Sequence, residues 1–293
     1  MFNSLLLFEK NEKSALRQTG SLRAIYNNKN YKYMAIYHLC VKTFSRAKGH
    51  SAIAAAAYRT GKKLIDFRTG ETHDYRKKNG VVSSFITVPE SIPDWALSSE
   101  SLWNQAEKSE NRKNSTIARE IEISLPYELS SIGQRNLALK LATEICKKHC
   151  VVVETSIHKP HESNDQRNIH AHLLLSTRRL NKEGFHEKSR EFDGAKLGSE
   201  TVKFWRKRWE ELANEALKNN KVPTKIDHRS YKKRGLALEP TQHQGSYSTQ
   251  MERRGLNTRI GVLNKSIQQR NYLVIRRRRL NKRGVNLSST INP

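Results

Sequence analysis

A short polar segment, Lys159 to Arg167, separates two apolar runs, Val151–His158 and Asn168–Thr177, both rich in Val, Ile, Leu and Thr. Strands with so brief a connection are most simply antiparallel, because a parallel pair needs a crossover of a dozen or more residues. Side chains alternate along a strand, so His170 and His172 project from one face. His158, at the end of the first run, lies close to His170 at the start of the second. Strand parity can therefore bring three imidazoles to one side of a sheet, and the other elements have to be arranged around that pair.

Tyr33 to Phe44 reads as a strand ending at the basic stretch SRAKGH. A helix follows, capped by Ser51, carried by Ala52 to Ala57 as far as Tyr58 and released at Gly61. Leu64 to Tyr75 contains Arg68-Thr69-Gly70, a hairpin turn, and Val81 to Val88 is a strand closed by Pro89. Ser99 to Arg112 is helical. From Ile117 to Leu125 the pattern alternates: Ile117, Ile121, Ile123 and Leu125 share one parity with Arg119, while Glu120, Glu122 and Ser124 take the other face. Ser131 with Gln134 makes a capping box for a helix to His149, with Leu137, Leu141 and Ile145 as its buried stripe. Ser199 to Asn220 is the last well-marked element, and its Trp205 and Trp209 read as core rather than as platforms for bases. The chain shows no internal repeat. The class is α+β, with a central antiparallel sheet flanked by helices.

Charge constrains the partners. With 54 Lys and Arg against 28 Asp and Glu the net charge is +26, and the segment from Lys225 to Pro293 contributes half of that excess. Its Arg276 to Arg279 run sits among polar residues with little apolar periodicity, as suits an arm gripping phosphates and not a membrane-lying helix. Three domains are expected: residues 1–32 as a disordered leader or a mis-assigned start, 33–222 as the functional domain, and 223–293 as a basic, partly flexible extension that contacts DNA. No apolar run approaches the roughly 20 residues of a membrane span, and no secretion signal opens the chain, so the cytoplasm is expected. Cys40, Cys146 and Cys150 are too few and too irregular for a disulfide framework.

The histidines carry the chemistry. His158, His170 and His172 as neutral imidazoles suit a divalent transition metal and leave coordination positions open to water or a substrate oxygen. The plainer readings are three polar histidines on a solvated face, or a closed site with His161, Asp165 or Glu154 as fourth ligand. A metal in so basic a chain suggests phosphodiester chemistry. The attacking group is water, or else a side chain. Tyr58 ends the alanine-rich helix and is a candidate for direct attack; its plainer reading is an aromatic packed on the sheet, and spacing alone does not choose.

Four stretches resemble the MobA/MobL plasmid mobilisation relaxases. They are MAIYHLCVKTFSRAKGHSAIAAAAYRTGKKLIDFRTGETHDY from Met34, AREIEISLPYELS from Ala118, the pair Ile157-His158, and DQRNIHAHLLLSTRRL from Asp165. IDHRSYKKRGLALEPTQHQGSYSTQMERRG, from Ile226 to Gly255, is similar to the segment that follows the core in many members. The resemblance implies an HUH-type relaxase fold and a metal held by His158, His170 and His172. Manganese or magnesium is the expected cofactor, with zinc as the alternative. It further implies that Tyr58 attacks a phosphate at a plasmid transfer origin, giving a 5′-phosphotyrosine link and a free 3′-hydroxyl. Glu120 and Glu128 match the family's acidic positions, to orient the tyrosine or a ligand or to take a proton.

Arg46, Lys48, Arg59, Lys62, Lys63 and Arg68 around the helix, with Arg178 and Arg179 after the histidine strand, are expected to line a DNA groove. Tyr37 and Tyr75 are candidates for stacking on bases. Single-stranded or supercoiled plasmid DNA, accessory mobilisation proteins and a coupling protein are the implied partners. The rival readings are a replication initiator, a metal-dependent nuclease, or a non-catalytic DNA-binding accessory.

Overall fold

The antiparallel pair exists as β6 (Val151–His158) and β7 (His170–Asn181) in the computed structural model, which describes residues 36–160, 162 and 166–282. The leader at 1–32 and the candidate ligands His161 and Asp165 lie outside the described residues. Around this pair stand β1 (Leu39–Ser45), β4 (Val81–Thr87) and β5 (Thr116–Ser124) in the order β1-β5-β7-β6-β4, each antiparallel to its neighbours. The strand β8 (Gly184–Lys188) pairs with the far end of β7. A separate two-stranded ribbon, β2 (Lys63–Ile65) and β3 (Thr72–Asp74), closes around the predicted Arg68-Thr69-Gly70 turn.

Helices cover both faces of the sheet. Against one face lie α3 (Ser131–His149) and α4 (Ala195–Asn219), where Ile121, Ile123, Val153, Leu173 and Leu175 meet Leu141, Ile145, Trp205 and Trp209. Both tryptophans are buried in the core, as their spacing predicts. Against the other lie α1 (Ala52–Thr60) and α2 (Ser99–Lys108), where Ala118, Val152 and Leu174 meet Ile53, Ala56, Leu102 and Trp103. Burying each of these large side chains contributes about 1.5–3 kcal/mol. Every residue of β6 is buried in consequence.

Several boundaries differ from those read in the sequence. β1 begins at Leu39, because Ile36 and His38 present their carbonyls to Ser124 from an irregular lead-in. A register shift between Phe44 and Ser45 takes Ile117 out of the parity of Ile121 and Ile123, so Ile117 packs with α1 and α2 instead. The cap of α3 is Ser130, whose side chain accepts the Gly133 N–H, and Gln134 donates to the Pro126 carbonyl rather than closing a capping box with Ser131. α2 stops at Lys108, and α4 starts at Ala195, four residues before Ser199.

The chain divides into two compact units at His228/Arg229, beyond the composition change at 222. Ile226 is buried against the first unit's core, and the Asn214 side chain bonds both its N–H and its carbonyl. The second unit contains α5 (Gly245–Arg253) and α6 (Arg259–Lys282). The weakly periodic basic stretch is thus helical over much of its length. Within this unit Arg270 pairs with Glu239, and the Asn264 and Asn271 side chains bond the backbone at Gln242 and Glu239. Arg276 to Arg278 fall near the C-terminal end of α6, where cations oppose the negative end of the helix dipole. Among the described residues no helix is long and apolar enough to cross a membrane.

One buried group opposes the fold. Glu154 of β6 is 2% exposed and accepts from Trp103 Nε1 at 2.6 Å and Ser99 Oγ at 3.1 Å. Burial raises its carboxyl above the ordinary value, with those two donors and the Lys62 charge only partly offsetting the rise. The folded state therefore holds a proton that the unfolded chain releases at lower pH, so this group's contribution falls as pH rises through its folded pKa. Glu154→Gln is expected to melt at a higher temperature than wild type at pH 8, with the gap narrowing at pH 5, in thermal unfolding followed by circular dichroism.

Candidate functional site

The central strands carry the site on the face shared with α1. β6 sets His158 opposite His170 and Ser156 opposite His172, while β5 sets Glu120 opposite Leu174 and Glu122 opposite His172. The three imidazole centroids lie 4.8 to 5.5 Å apart, and one nitrogen from each ring comes within 4.8 Å of the others.

The other nitrogen of each ring is engaged by the protein. His158 Nε2–H donates to the Arg59 carbonyl at 2.6 Å, His170 Nδ1–H to the Asn168 carbonyl at 2.9 Å, and His172 Nδ1–H to Glu120 Oε1 at 2.7 Å. These bonds select the tautomer and leave one lone pair per ring, on His158 Nδ1 and on Nε2 of the other two. Burial pushes the His158 imidazole down to about 3, and burial likewise lowers His170. Converging lone pairs, each on a ring oriented by an outer acceptor, are the donor set a divalent ion requires.

Glu120 connects this cluster to α1. Its carboxylate is fully buried and accepts from both His172 and the Arg59 guanidinium, with Lys42 Nζ 3.7 Å from its second oxygen. Burial alone would raise this carboxyl, but the His172 and Arg59 hydrogen bonds outweigh it and hold Glu120 well below the ordinary range. Lys42 also pairs with Glu122. Glu128 lies beyond the end of β5 in the turn before α3, and the carboxylates grouped within ligand distance of His172 are Glu120 and Glu122.

α1 delivers Tyr58. Ser51 caps the helix by accepting the Ala54 N–H, and Glu107 accepts the Ala52 N–H at 2.9 Å. Gly61 ends it in the left-handed region at φ 67°, which an L side chain adopts only at a cost. The alanines Ala52, Ala56 and Ala57 are fully buried, so the helix lies close enough to the sheet for its last turn to bond His158. The Arg59 carbonyl that holds His158 follows Tyr58 by one residue. The Tyr58 ring remains 49% exposed, edge-on to Tyr75 at 5.2 Å between centroids.

The expected groove residues divide into two sets. Lys48, Lys62, Lys63 and Arg68 are exposed near α1. Arg46 is instead held between the Glu107 carboxylate and the Glu107 and Glu110 carbonyls, and Arg59 is held by Glu120 and the Ala55 carbonyl. Arg178 pairs with Glu110 and Arg179 with Glu191. They lie six and seven residues past His172 along β7, about 20 Å away at the rise of a strand, so the histidine end of the strand does not include them. Tyr37 packs against the core and donates to the Arg206 carbonyl, which removes it as a stacking platform.

Sequence reasoning missed Lys78. Its Nζ sits 3.5 Å from the centroid of the Tyr58 ring and donates to the Tyr58 carbonyl at 2.7 Å. The one signal was its place in the polar turn between the β2–β3 ribbon and β4.

The MobA/MobL family model matches residues 50–254. The chain is 36% identical over 248 residues to mobilization protein MobL of Acidithiobacillus ferridurans, covering 75% of this chain and 65% of that protein. It is 31% identical over 248 residues to conjugal transfer protein TraA of Rhizobium radiobacter, covering 75% of this chain and 22% of the relative. The chain thus spans just under two thirds of the first of these and about a fifth of the second. A solved structure described as "Molecular Basis of Vancomycin Resistance Transfer in Staphylococcus aureus" superposes with a TM-score of 0.60 at 34% identity, over 67% of this chain and all of the other. The family match spans β1's flanking turn through α5 and includes Tyr58, Glu120 and all three histidines, and the chain belongs to the MobA/MobL family.

Proposed function

We propose that this protein is a DNA-nicking relaxase that uses Tyr58 to cut one strand at a transfer origin and later rejoins it. The observation that carries the reading is the single hydrogen bond from His158 to the carbonyl of Arg59, which ties the three-histidine cluster to the last turn of the helix bearing an exposed tyrosine.

In this reading a bond forms between Tyr58 Oη and phosphorus as the bond to the 3′-oxygen breaks. The phenol proton leaves to a base or solvent, and the 3′-oxygen gains one. One phosphodiester bond replaces another, so the protein-bound strand keeps the capacity to rejoin. His158, His170 and His172 would hold a divalent ion, manganese or magnesium first and zinc second. When bound, such an ion neutralises charge on the phosphate oxygens as the pentavalent arrangement is reached. Glu120 orients His172 and anchors Arg59, and its ionised state suits those two roles rather than uptake of the tyrosine proton. Glu128 remains a candidate for the base.

Lys48, Lys62, Lys63 and Arg68 would bind the backbone of the single strand near the nick, with the basic second unit adding further phosphate contacts. Relatives named for mobilization and conjugal transfer support a plasmid transfer origin as the substrate. Accessory mobilisation proteins and a coupling protein are the partners this role requires.

Incubation with end-labelled oligonucleotides bearing candidate nick sites and manganese is expected to give a denaturant-resistant protein–DNA band that Tyr58→Phe lacks. Cleavage that continues in Tyr58→Phe without a covalent band would assign the attack to water. By titration calorimetry with manganese, His158→Ala/His172→Ala is expected to lose stoichiometric binding. Glu120→Gln is expected to retain a site weakened roughly 10–100-fold, the usual consequence of removing a ligand's outer partner. Undiminished binding in the double variant would mean that the ion is held elsewhere.

A further inference from the structure

The cations around α1 differ in what they touch. Arg46 pairs with Glu107, Arg59 with Glu120, Arg76 with Asp74, and Arg68 lies within 4 Å of both Asp66 and Glu107. Among the described residues Lys78 has no carboxylate partner. Its ammonium lies instead over the Tyr58 ring and against the Tyr58 carbonyl, half-buried and in the field of the Arg59 charge. A desolvated ammonium without an anion is unfavourable, and burial, reinforced by the Arg59 charge, pushes Lys78 down to about 8. Such a site is stabilised by an anion arriving from outside.

The turn that carries Lys78 is fixed at both ends. Tyr75 N–H donates to the Lys62 carbonyl, Lys78 N–H to the Tyr75 carbonyl, and Lys159 N–H to the Gly80 carbonyl. At Gly80, φ is 92° and a Cβ would lie 2.9 Å from the Lys159 carbonyl, so the backbone there approaches the residue after His158 as closely as a glycine allows. Tyr75, at the start of the same turn, meets the phenol ring at a near-perpendicular angle with centroids 5.2 Å apart. The Tyr58 ring thus meets both a cation and an aromatic ring from one anchored turn.

We propose that Lys78 is a positioning residue for Tyr58: it clamps the phenol ring in one orientation and supplies the unpaired positive charge that receives the scissile phosphate beside it. The inference rests on Tyr58 being the nucleophile. The ammonium lies over the ring face and not at the hydroxyl, so its part is to orient and to balance charge, and the proton leaves by another route. A cation on the face of a tyrosine is attracted by the ring's quadrupole. Its larger effect falls on the reaction, because a preorganised charge stabilises the extra negative charge on phosphate in a water-poor site.

Lys78→Met and Lys78→Arg in the full-length protein separate this role from a structural one. In single-turnover reactions at saturating oligonucleotide with manganese, Lys78→Met is expected to form the covalent band roughly 100-fold more slowly, the scale of losing one preorganised donor. Oligonucleotide affinity should fall far less than the rate, by the loss of one phosphate contact, and Lys78→Arg should recover most of the rate. A second readout needs neither DNA nor metal: with 3-fluorotyrosine at position 58, the fluorine resonance should move in Lys78→Met and stay near its original position in Lys78→Arg. A Lys78→Met protein that reacts at the wild-type rate, or a fluorine resonance indifferent to the substitution, overturns the inference while leaving the nucleophile in place. A covalent band that survives Tyr58→Phe overturns the nucleophile assignment instead, whatever the fluorine spectrum shows.

Discussion

The arrangement depends on a buried carboxylate. Glu120 is removed from water in the middle of a sheet, which by itself is unfavourable, and only the two cationic or donor partners it joins make its ionised form stable there. One of those partners is the ring of His172, on the neighbouring strand. The other is the guanidinium of Arg59, on the helix above. Strand and helix are thereby registered against each other by a charge that neither could hold alone. The Arg59 carbonyl completes the link by receiving His158 from the next strand over.

Internal pairing also takes up several of the cations near the site. A strongly basic chain still needs internal ion pairs, and here arginine supplies them: Arg46, Arg59, Arg119, Arg178 and Arg179 each bond a carboxylate within the fold. Planar, multidentate guanidinium suits that task better than ammonium. Lysines dominate the exposed set beside the tyrosine helix. Net charge therefore overstates the exposed cations near the site, and the type of basic residue indicates better than its proximity in sequence which of them face outward.

Much of the site could be read from the order of residues because it depends on strand parity and one short connection. His158, His170 and His172 fall together for the same reason that any antiparallel pair aligns its ends, and the alanine helix is unmistakable from propensity and caps. What could not be read depends on tertiary contact. The polar parity of β5 marked only a second face, and Glu120 and Ser124 are buried there, Glu120 against Arg59 and His172 and Ser124 against the Ile36 and His38 carbonyls. Arg178 and Arg179 follow the histidines in sequence but stand at the other end of a long strand. α6 escaped detection because its apolar residues keep no helical stripe, so that its ordering rests on polar contacts to Glu239 and Gln242 instead. Lys78 gave no periodic signal, since turns have none.

The face of the sheet beneath α1 changes character along its strands. Leu174 and Val152 lie dry under helices, whereas His170 and His172, on the same side of β7, are only partly covered. One continuous surface thus contains an anchored half and an accessible half, separated by the buried carboxylate. Substitutions at the accessible margin can alter what the site admits without disturbing the packing that holds the rings, so selectivity and stability are free to drift apart within a single layer of secondary structure.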